Sequence, residues 1–135
     1  MKPFALDSSM LTTLGGVFYP TGHVFVMFPD EEGARRVAQE LAARNVETEE
    51  AMLVTPQQIL SDIAATTRGT DEPLPSAGSE AATVRRFVEL AREGHYGLLV
   101  HAPSEEDSEK VMDIVRQGPF SIAEKYRRLV IEDLA

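Results

Sequence analysis

Apolar residues recur along this chain at two spacings, one typical of strands and one typical of helices. Four short segments rich in apolar residues and bounded by turn residues predict strands at 23–28, 51–54, 96–101 and 125–131. Both alternating sets of side chains in the first strand are largely apolar, so we expect both of its faces to be covered. In the last strand we expect residues 129–131 to form the buried centre.

Four further segments have apolar residues at helical spacing and begin at residues that favour a helix N-terminus. The predicted starts are Asp30, Thr55, Ser79 and Ser104. Thr55 is followed by Pro56 and Gln58, which predicts a capping box. The inward positions of the first helix are predicted as Ala34, Val37, Ala38 and Leu41, and those of the last as Ser108, Val111, Met112 and Val115.

Two stretches of the chain repeat one pattern: "GHVFVMFPDEEGARRVAQEL" at 22–41 and "GHYGLLVHAPSEEDSEKVMDIV" at 94–115. A shift of 74 positions lays Asp30 on Ser104 and superposes the two inward stripes. Each half then reads strand, helix, strand. Two such halves predict an α+β, ferredoxin-like split βαβ fold with a four-stranded antiparallel sheet, strand order 4-1-3-2, and a helical insertion between the halves. The alternative is a four-stranded parallel α/β sheet.

The length of 135 residues fits a single domain. We divide it into an N-terminal segment at 1–22, a first βαβ half at 23–55, a helical insertion at 56–93 and a second βαβ half at 94–135. Within the insertion, residues 66–79 are rich in glycine, proline, serine and threonine, which predicts a loop.

The stretches "MFPDEEGARRVAQELAARNVETEEAMLVTP" and "GLLVHAPSEEDSEKVMDIVRQ" resemble the two halves of bacterial heat-induced or general-stress-protein domains. The resemblance covers residues 23–131 and lies in the order of elements. It implies a small stress-linked binding or regulatory domain, and it implies no defined chemistry.

Composition narrows the classes of function. The 22 acidic residues outnumber the 13 basic ones and give this acidic protein a net charge of −9, which disfavours nucleic acid as a partner. The absence of cysteine removes disulfides and thiolate chemistry and fits a reducing compartment. We find no apolar run long enough for a membrane span and no signal-peptide pattern at the N-terminus, so we expect a cytoplasmic protein without a membrane partner.

The histidines are the best candidates for a site. In the antiparallel sheet, the start of strand 23–28 lies beside the end of strand 96–101, which places His23 near His101 and Met27 near His95. Imidazole titrates near neutrality and binds ligands readily, but the simplest interpretation is a set of half-exposed structural histidines. The candidate ligand-binding residues are His23, His101, His95, Phe25, Met27 and Tyr19. We predict no metal, no cofactor and no catalytic residue.

The sheet face that carries the histidines is largely apolar and needs a cover. The N-terminal segment or a dimer partner is favoured over the inserted helices and over a ligand. The leading hypothesis is a non-enzymatic cytoplasmic module that acts by self-association, as a homodimer or other homo-oligomer, or by contacts with another protein. The alternative is a small-molecule-binding protein or an enzyme, with a pocket on the sheet face near His23 and His101.

Overall fold

A sheet of six strands forms the centre of the fold. The computed structural model describes residues 1–12, 15–44, 51–67, 78–128 and 130–135. The strands in these residues are β1 (Lys2–Pro3), β2 (His23–Phe28), β3 (Met52–Val54), β4 (Tyr96–His101), β5 (Ile122–Tyr126) and β6 (Ile131–Asp133). The helices are α1 (Glu31–Ala43), α2 (Pro56–Gln58), which continues as a π-helical turn at Ile59–Ile63, α3 (Gly78–Arg92) and α4 (Glu105–Val115). Most of the predicted loop at 66–79 lies outside the described residues.

The strand order is β1-β3-β4-β2-β5-β6. The four inner strands pair antiparallel, in the order that two split βαβ halves predict. β1 pairs parallel with β3, so the sheet is mixed and the fold is α+β. The predicted count of four strands is wrong, because β1 and β6 extend the sheet at its two edges. The alternative parallel sheet is also wrong, because the inner pairs are antiparallel.

The predicted strand at 125–131 is wrong as well. The chain forms a hairpin here, in which Tyr126 pairs with Ile131 across a turn. Val130, which was expected in the buried centre, is 56% exposed, and Leu129 lies outside the described residues. The apolar run at 129–131 has the pattern of a buried strand. The position next to β2 is taken by β5, however, so the chain after the turn lies at the edge of the sheet.

Helices α1 and α4 cover one face of the sheet. Each begins at the predicted cap: the Asp30 carboxylate accepts a hydrogen bond from the Gly33 amide at 3.0 Å, and the Ser104 hydroxyl accepts one from the Asp107 amide at 3.0 Å. The two predicted inward stripes are buried and pack, directly or through neighbours, against the sheet. The predictions for both caps and both stripes are therefore confirmed.

The protein's own chain covers the opposite face. Phe18, from the N-terminal segment, is fully buried and makes edge-to-face contacts with Phe4, Phe25 and Tyr126 at centroid distances of 6.2, 5.9 and 6.0 Å. From α3, Phe87 stacks on Phe25 at 4.5 Å. The N-terminal segment and the inserted helices thus share the cover that the apolar face requires.

Hydrogen bonds hold the two parts of this cover together. The predicted capping box is present, because Thr55 accepts from the Gln58 amide at 3.2 Å and the Gln58 side chain accepts from the Thr55 amide at 3.0 Å. The same Gln58 side chain donates to the Phe4 carbonyl at 3.0 Å. The Phe18 amide donates to the Thr66 hydroxyl at 3.0 Å. The N-terminal segment is therefore fixed to the insertion as well as to the sheet.

A close contact explains the glycine in β4. A Cβ atom on Gly97 would lie 2.6 Å from the Phe25 ring, well inside van der Waals contact. Because Gly97 has no side chain, the ring can lie across the neighbouring strand and reach Phe87. Any larger residue would displace the aromatic centre of this face.

In the described part of the chain, no helix is long and apolar enough to cross a membrane.

We predict that the N-terminal cover is an integral part of the fold. Phe18→Ala removes a buried ring that touches three other aromatic rings, and we expect it to lower the free energy of unfolding by about 3–5 kcal/mol. Val130→Ala, at an exposed position, is the matched control, and we expect a change within about 0.5 kcal/mol. Urea unfolding followed by circular dichroism measures both. Equal stability of the two variants would contradict an integral cover.

Candidate functional site

His23 and His101 face each other across β2 and β4. They are direct partners in the strand register. Their ring centroids lie 5.0 Å apart, with the ring planes at 60°. Both side chains are half-buried at the end of the sheet. The pairing of these two histidines follows from the antiparallel arrangement that the sequence indicates.

The turn that leads into β2 orients His23. Gly22 has a φ of +79°, which favours glycine. Its amide donates to the Tyr126 carbonyl on β5, and its carbonyl accepts from the amide of Ala102, which follows β4. This anchoring directs the Thr21 carbonyl at Nδ1 of His23, 3.0 Å away. A carbonyl only accepts hydrogen bonds, so Nδ1 carries the proton and Nε2 carries the lone pair when the ring is neutral.

One carboxylate, that of Asp7, acts on His23 through its charge. Asp7 caps a short 3₁₀ helix at Ser8–Met10 and accepts hydrogen bonds from the amide and hydroxyl of Ser9. These bonds are the main cause of the lowered pKa of Asp7, and the electrostatic attraction of His23 adds to them. Asp7 therefore keeps its negative charge to a lower pH than an ordinary aspartate, and that charge acts on His23.

The other four predicted site residues lie elsewhere. Phe25 and Met27 are fully buried in the core under the N-terminal segment and α3. The Tyr19 hydroxyl donates to the Arg127 carbonyl at 2.5 Å, and its ring packs against another tyrosine in the core. His95 lies at the far end of β4 and contacts the Ser121 hydroxyl at 2.6 Å. Of the six, His23 and His101 form a half-buried pair of polar side chains, whereas Tyr19, Phe25 and Met27 belong to the buried core.

Strand β5 carries two buried charged residues that the sequence pattern did not predict. Glu124 and Lys125 are 3% and 2% exposed, and as neighbours on a strand they point to opposite faces. The Lys125 ammonium donates to the Ala102 carbonyl and, at 2.7 Å, to the Ser108 hydroxyl on α4. Burial, followed by the nearby positive charge of Arg127, lowers the pKa of Lys125. No local pattern distinguishes these residues from charged residues on an exposed strand.

Glu124 faces α3 on the other side of the sheet. Its carboxylate lies 3.3 Å from Nη1 of Arg86, whose side chain is more than half exposed. Burial and, after it, the charge of Asp133 on β6 raise the pKa of Glu124 to about 7, although the charge of Arg86 acts in the opposite direction. The buried hydroxyl of Tyr126, two residues on, has no hydrogen-bond partner in the described structure. Glu124 and Tyr126 are thus two buried polar side chains on β5 with few polar contacts in the described structure.

A cleft of about 410 Å³ separates α4 from β6. Its lining residues are Glu105, Ser108, Glu109, Met112, Asp113, Arg116, Glu132, Asp133 and Leu134. Arg116 donates to the Leu134 carbonyl at 3.0 Å, and Arg127 pairs with Glu105 on α4 and with Glu132 on β6. The helix and the edge strand are thus tied together at two points along the cleft.

The described residues contain no group of three or more histidine, aspartate or glutamate side chains that could hold a metal ion. No family model, curated protein or solved structure matches this chain.

We predict that Glu124 makes stability depend on pH. Its folded pKa of about 7 lies above the ordinary value of 4.5 that the unfolded chain retains. The native state therefore binds more protons than the unfolded state between these values, and stability falls as the pH rises through them. Above pH 7 the full cost is roughly 3 kcal/mol. Glu124→Gln removes the ionisable group and with it this pH-dependent loss of stability.

The test compares urea unfolding of the native chain and Glu124→Gln at several values between pH 4.5 and 8. We expect the stability of the variant relative to the native chain to rise steadily over this range. Glu89→Gln, on the exposed face of α3, is the control and should track the native chain. A difference between native chain and Glu124→Gln that is independent of pH would contradict the prediction.

Proposed function

We propose that this protein is a non-enzymatic protein-contact module that binds an extended, basic segment of a partner between β6 and α4. One observation carries the proposal: the terminal strand of the sheet lies beside a cleft whose lining is strongly acidic. An extended peptide can pair with the outer edge of such a strand while its side chains contact the adjacent helix.

Charge determines the class of partner. Five carboxylates line the cleft against the single guanidinium of Arg116. In the described structure, Arg127 pairs with two of them, Glu105 and Glu132, whereas Glu109 and Asp113 make no ion pair. The net charge of −9 adds a general attraction for basic partners. Lysine and arginine side chains of an extended segment therefore complement this surface.

The same charges argue against a second copy of the chain as the partner. Two β6 strands that pair edge to edge would bring Glu132 and Asp133 of both copies close together. Like charges at facing positions of a sheet are destabilising. The apolar sheet face, for which the N-terminal segment or a dimer partner was the expected cover, is covered by Phe18 and its neighbours. A different protein is thus the better partner.

Three broader assignments belong to the same proposal. The order of the four inner strands supports a ferredoxin-like core with a helical insertion and two added edge strands. The resemblance to bacterial heat-induced and general-stress-protein domains supports a stress-linked role. The composition, with no cysteine, supports a cytoplasmic location.

The binding test uses a fluorescein-labelled decapeptide of alternating lysine and valine, with an alternating glutamate and valine decapeptide as its counterpart. We expect anisotropy titrations to show binding of the lysine peptide only, weakened by salt. The double variant Glu109→Lys with Asp113→Lys reverses two charges of the cleft, and we expect it to lower the affinity at least about tenfold.

The matched control reverses two exposed charges away from the cleft, with Glu89→Lys and Glu93→Lys. The change in net charge is the same, so this control separates the cleft from the general field of the protein. Equal losses in the two double variants would contradict a site between β6 and α4. Binding of the glutamate peptide by the native chain would contradict an acidic docking surface.

Sedimentation velocity at micromolar concentration tests self-association directly. We expect a single monomeric species, because both sheet faces are covered and the β6 edge repels its own copy. A stable dimer would favour the self-association hypothesis over a separate partner. If Glu132→Lys dissociated that dimer, the edge would be its interface.

A further inference from the structure

We propose that His23 and His101 form a two-histidine site for a divalent transition-metal ion of the zinc and copper type, at the end of strands β2 and β4. This site shares no residue with the acidic cleft, so it stands independently of the proposed function. The ligand class follows from the donors, because imidazole nitrogen suits zinc, copper and nickel, whereas magnesium and calcium prefer oxygen.

The spacing of the rings matches that of two imidazoles on one ion. Zinc holds an imidazole nitrogen about 2.0–2.1 Å away, so two rings bound at a near-tetrahedral angle have centroids about 5 Å apart. The observed distance between the His23 and His101 centroids is 5.0 Å. The backbone holds the two residues side by side, because they are direct partners in the antiparallel pair of β2 and β4, and each of these strands has a second neighbour.

The tautomer of His23 is also suited to coordination. The Thr21 carbonyl holds the proton on Nδ1, which directs the lone pair to Nε2. Metal-bound histidines commonly donate their second nitrogen to a backbone carbonyl in this way, and the contact orients the ring. Coordination through Nε2 keeps the bond to Thr21 and replaces any other hydrogen bond that Nε2 makes.

The surroundings favour a cation. His101 makes no hydrogen bond within the described parts of the chain, and its Nε2 lies near Gly22, in the turn that leads to His23. The charge of Asp7 acts on His23. The described residues contain no third histidine or carboxylate within a metal-binding cluster. Water therefore completes the coordination shell, and the ion remains exchangeable.

Isothermal titration calorimetry of the untagged chain with zinc chloride, and separately with copper(II) chloride, tests the site. We expect one equivalent of either metal to bind, copper more tightly than zinc, following the usual order of stability. His101→Ala and His23→Ala each leave one imidazole, and we expect each to weaken binding on the order of a hundredfold. Circular dichroism of the metal-free variants checks that they fold.

The third histidine is the matched control. His95 lies about 20 Å from His101 along β4, and we expect His95→Ala to bind metal like the native chain. Unchanged binding by His101→Ala, equal loss in His95→Ala, or no binding by the native chain would each overturn the proposal. Binding to surface carboxylates would persist in His101→Ala and is excluded by the same comparison.

Proton NMR of the native chain gives a readout that needs no variant. The protein has three histidines, whose ring resonances are resolvable. We expect substoichiometric copper(II) to broaden the signals of His23 and His101 and to leave those of His95 sharp. Uniform broadening of all three, or broadening of His95 alone, would overturn the site even if a histidine variant failed to fold.

Discussion

The burial of β2 on both faces is the constraint on which the rest of the structure depends. Every residue from Val24 to Phe28 is fully buried, and the strand has a neighbour on each edge. A strand with two apolar faces requires a layer on each side of the sheet. Helices α1 and α4 form one layer, and the N-terminal segment with α2 and α3 forms the other. The insertion is therefore part of the core.

This second layer changes how the candidate site is understood. A two-layer fold would leave Phe25 and Met27 open to a ligand or a second subunit, as a role in a binding site requires. The three-layer arrangement buries both, and leaves the histidine pair at the margin where the N-terminal cover ends. His23 and His101 remain reachable because β2 and β4 extend to the rim of the cover.

The sequence predicted the elements whose signals are local. Asp30, Thr55 and Ser104 cap helices because each side chain accepts a hydrogen bond from the amide three positions on, and the repeated stripes indicated which helix faces are buried. The meeting of His23 with His101 followed from the order of the strands. The burial of Glu124 and Lys125 could not be predicted in the same way, because Glu124 faces α3 and Lys125 faces α4, and these helices reach β5 only in the folded chain.

The buried Lys125 connects the core to the proposed docking surface. Its ammonium bonds to Ser108, which lines the cleft, and to the chain that precedes α4. An ammonium taken out of water requires these acceptors, so the position of α4 against β5 is strongly specified. Because β6 pairs with β5, the distance between α4 and the edge strand is fixed as well. A surface held in this way loses little conformational freedom when a partner binds, which favours recognition by a preformed cleft.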